Sequence, residues 1–159
     1  MKRTQEEILN LYDKYYDMVW RICLMQLGNM QDAYDGTQET FIRLMNCSKV
    51  FQDEEHAKAW LIRTAANYCK DILKSSWRKK QICADWTEVM EGALVPDAYN
   101  EVFEAMMELP KKYRIIIYLH YYEGYSLKEV ADIIKVNAST VRSRLAKAKS
   151  LMRGYLEEV

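Results

Sequence analysis

The sequence predicts an all-α fold: two small helical domains joined by a linker, the C-terminal one a four-helix module with a helix-turn-helix. Three observations lead there. Long stretches carry apolar residues at helical spacing; only five Gly and two Pro occur in 159 residues; and two Ser/Thr-x-x-Glu capping signals each open one of the apolar runs. Half of the residues are hydrophobic, enough for packed cores without disulfides or metal.

The first signal is Thr4 with Glu7. It opens a helix whose inward positions are Ile8, Leu11, Tyr15, Met18, Val19, Ile22, and Met25 or Leu27. Gly28 suits a stop and Asn29 a restart. The second helix runs from about residue 30 to residue 46, with Ala33, Thr37, Phe41, Leu44 and Met45 as its core stripe. Asp32, Asp35, Gln38 and Glu39 share another face, with Arg43 at its end; spacing alone makes this a solvated acidic surface.

Residues 48–53 read as a loop. A third helix begins near Asp53, with Glu54 and Glu55 in the first turn where acid complements the helix dipole, and continues to about residue 80. Trp60, Leu61, Ala65, Tyr68, Ile72 and Leu73 are its expected core side. Arg63, Asn67, Lys70, Lys74, Trp77, Arg78, Lys79 and Lys80 line the other. An aromatic among cations and amides suits single-stranded or distorted nucleic acid, where cations meet phosphate and rings stack on bases. A basic helix end with a partly buried Trp77 fits the same residues equally well.

Residues 81–96 lack periodicity, contain Gly92 and end at Pro96, and read as the linker. From Asp97 a helix carries Ala98, Val102, Met106 and Leu109. After Pro110 another, KKYRIIIYLHYYEG, turns Ile115, Ile116, Leu119 and Tyr122 inward and closes at Gly124. The second capping signal, Ser126 with Glu129, then opens a short helix, with Tyr125 and Val130 placed as a hydrophobic staple. Val130, Ala131, Ile133 and Ile134 are its apolar stripe. The chain breaks at Lys135-Val136-Asn137, and Asn137 suits the N-cap of a final helix with Val141, Leu145, Ala148 and Met152 on one face. Thr140, Arg142, Ser143 and Lys147 occupy the opposite face, flanked by Arg144 and Lys149. Two short helices, a tight turn and a basic outer face describe a helix-turn-helix, though a helical hairpin with a solvated basic face shares the spacing.

The formal net charge is zero, but it is not evenly spread. Residues 1–56 carry −4, residues 57–80 carry +6, residues 81–108 carry −7, residues 109–153 carry +7, and Glu157 and Glu158 add −2. Two basic blocks separated by an acidic one suggest two separate contacts with a polyanion. Cys23, Cys47, Cys69 and Cys83 are widely spaced, with no CxxC, and His56 and His120 stand alone. That is neither a zinc site nor a disulfide framework, and free cysteines suit a reducing cytosol. No Gly-rich phosphate loop, Ser/His/Asp order or HExxH occurs, and no metal-ligating carboxylates cluster near the basic faces, as a nucleic-acid hydrolase would need. MKRTQEEILN has no apolar signal region, and no stretch reaches the length of a membrane span. The expectation is a cytoplasmic protein, not inserted in a membrane, that is no enzyme and needs no metal or cofactor.

The order of these parts resembles the bacterial RNA polymerase sigma factors of the extracytoplasmic-function class, over nearly the whole chain. DAYDGTQETFIRLM, ending at Met45, is similar to the acidic helix of the family's second region, which docks on the clamp coiled coil of the polymerase. AWLIRTAANYCKDILK, residues 59–74, is similar to the segment that recognises the −10 element and helps open the duplex. Residues 109–153 are similar to the fourth region, which reads the −35 element.

The resemblance implies region 2 in residues 1–80 and region 4 in residues 97–159. It makes Asp32, Asp35, Gln38 and Glu39 polymerase contacts, reversing the solvated reading. It places Arg63, Asn67, Lys70 and Lys74 at the −10 element, with Trp77, Arg78, Lys79 and Lys80 extending the backbone-contacting end. Thr140, Arg142, Ser143, Arg144, Lys147 and Lys149 fall at the −35 element, Arg142 being the one suited to bidentate guanine readout. Core RNA polymerase and promoter DNA are the implied partners, with room for an anti-sigma factor.

Three positions depart from the family pattern. Lys135 stands where the turn usually has Gly, Gly36 where an apolar residue is usual, and Ala146 leaves a short side chain on the exposed face of the recognition helix. The rival reading, a stand-alone helix-turn-helix regulator binding operators as a dimer, leaves the acidic helix and the second basic block unexplained.

Overall fold

The structure, a computed structural model, describes residues 3–75 and 101–157. These residues fold as seven helices without a strand, in two compact units, Met1–Glu91 and Gly92–Val159. The expected linker at 81–96, the helix start at 97–100 and Trp77, Arg78, Lys79 and Lys80 lie outside the described residues.

In the first unit, α1 (Gln5–Leu27), α2 (Met30–Asn46) and α3 (Glu54–Lys74) pack on one another. The expected capping box is formed: the Glu7 amide donates to the Thr4 hydroxyl at 3.1 Å, and the Glu7 carboxylate accepts from the Thr4 amide. α1 ends at Gly28, whose left-handed φ of 69° lets its amide donate to the Leu24 carbonyl at 2.7 Å. Asn29 then caps α2 by accepting from the Asp32 amide at 2.9 Å.

Val19, Ile22, Cys23, Leu24 and Leu27 of α1 meet Ala33, Phe41 and Leu44 of α2 and Leu61, Ile62, Ala65 and Cys69 of α3 in the core. Two buried hydroxyls in α2 are satisfied within the helix. Thr37 donates to the Ala33 carbonyl at 2.7 Å and Thr40 to the Gly36 carbonyl at 2.8 Å.

The helix phases differ from expectation in three places. Met45 is 54% exposed rather than core, because it lies one step around α2 from Leu44, the last buried position. Along α3 the buried stripe runs through the small residues Ala57, Ala65, Ala66 and Cys69 together with Leu61 and Ile62, whereas Trp60, Tyr68, Ile72 and Leu73 are only half-buried at its edges. Small side chains let helices approach closely, so the bulky ones flank the contact. Ile8 and Leu11 are likewise half-buried, in the first turns of α1.

The second unit comprises α4 (Glu101–Met107), α5 (Lys111–Ile117), α6 (Leu127–Ile134) and α7 (Ala138–Glu157). Arg114 joins α4 to α5: its guanidinium donates to the carbonyls of Leu109 at 2.7 Å and Met107 at 2.6 Å, satisfying the end of α4. Burial lowers its pKa to about 10, which leaves it cationic at neutral pH. α5 runs on into a π-helical turn at Tyr118–Tyr122, where the Glu123 amide reaches back to the Tyr118 carbonyl at 3.1 Å. That wider turn rotates Tyr122 outward, to 36% exposure against the inward position expected, and Ile117 and Tyr118 are buried instead.

The helix-turn-helix forms as its caps dictate. The Glu129 amide donates to the Ser126 hydroxyl, and the Glu129 carboxylate accepts from the Ser126 amide, both at 3.1 Å. Tyr125 and Val130 are buried beside the cap, as a staple requires; Ile134 is only half-buried. α6 stops at Lys135, which adopts the left-handed region at φ 57° and ψ 51°. Its amide and that of Val136 both turn onto the Ala131 carbonyl. The Asn137 carbonyl then accepts from the Val141 amide at 3.0 Å, the first bond of α7.

Candidate nucleic-acid interface

α7 carries one dry face and one wet one. Val141, Leu145 and Ala148 are buried in the core of the second unit and Met152 half-buried, which fixes the helix's rotation. That rotation leaves Arg142, Ser143 and Lys147 exposed, with Thr140 and Arg144 half-buried on the flanks. Lys149 is exposed too, but its ammonium lies over the Tyr121 ring, 5.6 Å from the centroid. Tyr121 comes from the π-helical turn, so Lys149 is braced against its own unit while keeping its charge. An exposed basic helix face following a tight turn can enter a major groove, where a forked guanidinium reads guanine and ammonium groups meet phosphates. Ala146, exposed on this face, adds almost no reach.

On α3, Arg63, Asn67, Lys70 and Lys74 follow one another at i, i+4, i+7 and i+11 and so form a single stripe. Lys70 and Lys74 are exposed, whereas Arg63 and Asn67 are half-buried. The Arg63 Nε is buried without a hydrogen-bond partner among the described residues. Trp60, expected in the core, belongs to the same stripe one turn before Arg63 and packs on Phe51, ring centroids 5.8 Å apart. Neither ring was assigned to the site by apolar periodicity, which counts a tryptophan as core; its shared spacing with the four polar residues was the available signal.

The acidic set on α2 is divided. Asp32 is buried at 9% exposure in the helix's first turn, not on the outer face expected. Its position close to the Asn29 cap puts its charge at the positive end of the helix dipole. Asp35, Gln38 and Glu39 are half-buried on the outer side, Asp35 accepting from the Gln31 amide group at 3.1 Å and Glu39 paired with Arg43 at 3.2 Å. Tyr34, Ile42 and Met45 are exposed at 51%, 47% and 54%, so the acidic groups share this side of α2 with large apolar ones. Large apolar groups exposed together on one helix side mark a candidate contact surface.

His120 donates from Nδ1 to the Tyr125 carbonyl at 2.7 Å and serves the bend before α6. Cys23, Cys47 and Cys69 are free thiols; Cys83 lies outside the described residues. The hydrogen bond with the adjoining Cys23, and then burial, raise the Cys69 thiol well above its ordinary pKa, so it is a packed rather than a reactive group. Among the described residues no three His, Cys, Asp or Glu gather as a metal site, and no helix is long and apolar enough to cross a membrane.

Comparison with known proteins shows which family the chain resembles. Residues 11–79 match Sigma-70 region 2, and residues 99–152 match Sigma-70, region 4. The chain is 28% identical to the ECF RNA polymerase sigma factor SigW of Bacillus subtilis, in an alignment covering 99% of this chain and 93% of that one. It is 28% identical to the ECF RNA polymerase sigma factor SigL of Mycobacterium tuberculosis, covering 94% and 88% respectively. Its fold is similar to the sigma factor RpoE of Bartonella quintana, solved with the anti-sigma factor NepR, at a TM-score of 0.73, 19% identity and coverage of 96% and 98%. It is also similar to CnrH, solved with the cytosolic domain of CnrY, at a TM-score of 0.63, 18% identity and coverage of 98% and 90%. With regions 2 and 4 matched in order along one chain, and full-length relatives of one kind, this protein belongs to the sigma-70 family in its extracytoplasmic-function class, the factors that bind core RNA polymerase and direct transcription initiation at promoters.

Proposed function

We propose that the two units divide the promoter between them. Residues 1–80 act as region 2: α2 docks on core polymerase through Asp35, Gln38 and Glu39, with Asp32 behind them, and the α3 stripe of Arg63, Asn67, Lys70 and Lys74 meets the −10 element. Trp77, Arg78, Lys79 and Lys80 continue that contact beyond the described helix. Residues 81–96 link this unit to region 4 in residues 97–159. There α7 enters the major groove at the −35 element, Arg142 reading guanine and Thr140, Ser143, Arg144, Lys147 and Lys149 meeting mainly phosphates.

The observation that carries this reading is the pairing, in one three-helix unit, of a cationic stripe on α3 with an acidic, apolar-studded side of α2. A helix-turn-helix regulator working alone needs neither. Each DNA contact is small, so tight promoter binding comes from holding both units on one polymerase, where the second contact benefits from a high effective concentration. The protein catalyses nothing itself; the chemistry belongs to the polymerase. It works in the cytoplasm, where that enzyme and its template are. Two solved proteins of similar fold are held by an anti-sigma factor or by a cytosolic domain, which supports an inhibitory partner of that kind here.

The test is transcription with purified core polymerase. Adding the full chain produces transcripts of defined start on promoters of this class. The reading fails if core enzyme gains no promoter-directed start on any template or at any salt concentration.

A further inference from the structure

The loop at 47–53 has little to hold it in place. Ser48, Lys49, Val50, Gln52 and Asp53 are exposed, Val50 at 76%, and only Phe51 and Cys47 are half-buried. Such a segment is ordered by burial or by specific bonds, and burial is scarce here. The bonds come from the far end of the unit. Arg3 donates to the Cys47 carbonyl at 2.7 Å and to the Lys49 carbonyl, and its guanidinium lies over the Phe51 ring, 4.0 Å from the centroid. Two backbone acceptors outside any helix and one aromatic face are thus engaged by a single planar side chain, which the guanidinium fork suits and an ammonium does not.

The ring that Arg3 covers is the start of a contiguous series. Phe51 packs on His56 at 5.2 Å and on Trp60 at 5.8 Å. The His56 ring accepts from the Gln52 amide at 3.1 Å, which fixes the turn into α3. Trp60 then leads the stripe of Arg63, Asn67, Lys70 and Lys74. Rings placed beside cations are what unstacked bases require, whereas intact duplex is gripped mostly through phosphate.

We infer that Arg3 is a positioning residue for promoter opening: it holds the 47–53 loop, and with it Phe51 and Trp60, against the leading end of the α3 stripe. This rests on the assignment of that stripe to the −10 element. Two of the five N–H donors of Arg3 go to loop carbonyls and its guanidinium covers Phe51, so its contacts are those of a residue that holds the loop.

The test uses the full chain with core polymerase on a promoter fragment carrying 2-aminopurine in the −10 region, so that fluorescence reports strand opening. Arg3→Ala and, independently, Phe51→Leu reduce the open fraction about tenfold, the size of one lost ring–base contact. Core-polymerase association and the salt dependence of the closed complex stay unchanged, and Arg3→Lys falls between wild type and Arg3→Ala. Opening at the wild-type level in Arg3→Ala overturns the inference. So does a fall of about one in the salt slope, which would make Arg3 a phosphate contact. If Arg3→Ala weakens core association, Phe51→Leu decides by the same criteria. Asn67→Ala and Lys70→Ala in the same assay separate the two levels. If they impair opening and Arg3→Ala does not, the inference alone falls; if they too leave opening unchanged, the assignment of the stripe falls with it.

Discussion

Gly36 and Cys23 meet so closely that a β-carbon on Gly36 would stand 2.9 Å from the Cys23 sulfur. The same carbon would lie 3.1 Å from the Tyr68 ring, so all three helices of the first unit converge on a position with no side chain. A mid-helix glycine costs about 0.5–1 kcal/mol relative to alanine in an isolated helix. Here that cost is offset by the approach it permits.

Gly36→Ala therefore destabilises the first unit despite its better helix propensity. Overpacking costs about 1–3 kcal/mol, less the propensity gain, for a net loss of up to about 2 kcal/mol. The change is measured by denaturant unfolding of the full chain. Combined with Cys23→Ala, which vacates part of the space, the two losses add to less than their sum.

Lys135→Gly works in the opposite direction. A left-handed backbone at a non-glycine residue is strained by about 1 kcal/mol, and glycine relieves it at the cost of a freer unfolded chain. The variant raises the unfolding midpoint of the second unit by up to about 1 kcal/mol of stability, as read by denaturant titration, and leaves −35 sequence preference as it was.

Reversing Asp35 and Glu39 to Lys separates docking from folding. Both groups sit on the outer side of α2, and the Glu39–Arg43 pair contributes only about 0.3–0.5 kcal/mol. The double variant keeps a circular dichroism spectrum and unfolding midpoint near those of wild type, yet no longer co-purifies with core polymerase.

Arg142→Ala and Lys147→Ala distinguish base reading from phosphate contact. Loss of a bidentate guanine contact costs about 1–3 kcal/mol on the preferred −35 sequence and little on others, so preference relaxes. Loss of Lys147 weakens all sequences alike and lowers the salt slope of binding by about one. Equilibrium binding of the polymerase complex to a small set of −35 variants, at several salt concentrations, reads both effects.

Much of this fold was legible because short-range chemistry decided it. Thr4 with Glu7, Ser126 with Glu129, Gly28 and Asn29 each signal a helix end by the hydrogen bond it makes, and each makes it. The outward cations of α7 followed from its apolar positions for the same reason. What was not legible depends on how neighbouring helices meet. Met45 and Tyr122 are large and apolar yet exposed, one by a step of helix phase and the other by a π-helical turn. Asp32 is acidic yet buried beside a cap. Gly36 reads as a weakness until Cys23 and Tyr68 are brought against it, and Arg3 has no visible connection with Phe51 until the chain folds.

The division of labour between the two units is tested most directly by transcription from a matrix of promoters in which the −10 and −35 elements are varied independently. Wild type, Asn67→Ala and Arg142→Ala are compared with the same core polymerase. The account predicts that Asn67→Ala changes preference only along the −10 axis and Arg142→Ala only along the −35 axis. If either variant altered preference along both axes, or Asn67→Ala acted on the −35 element, the assignment of one element to each unit would be contradicted.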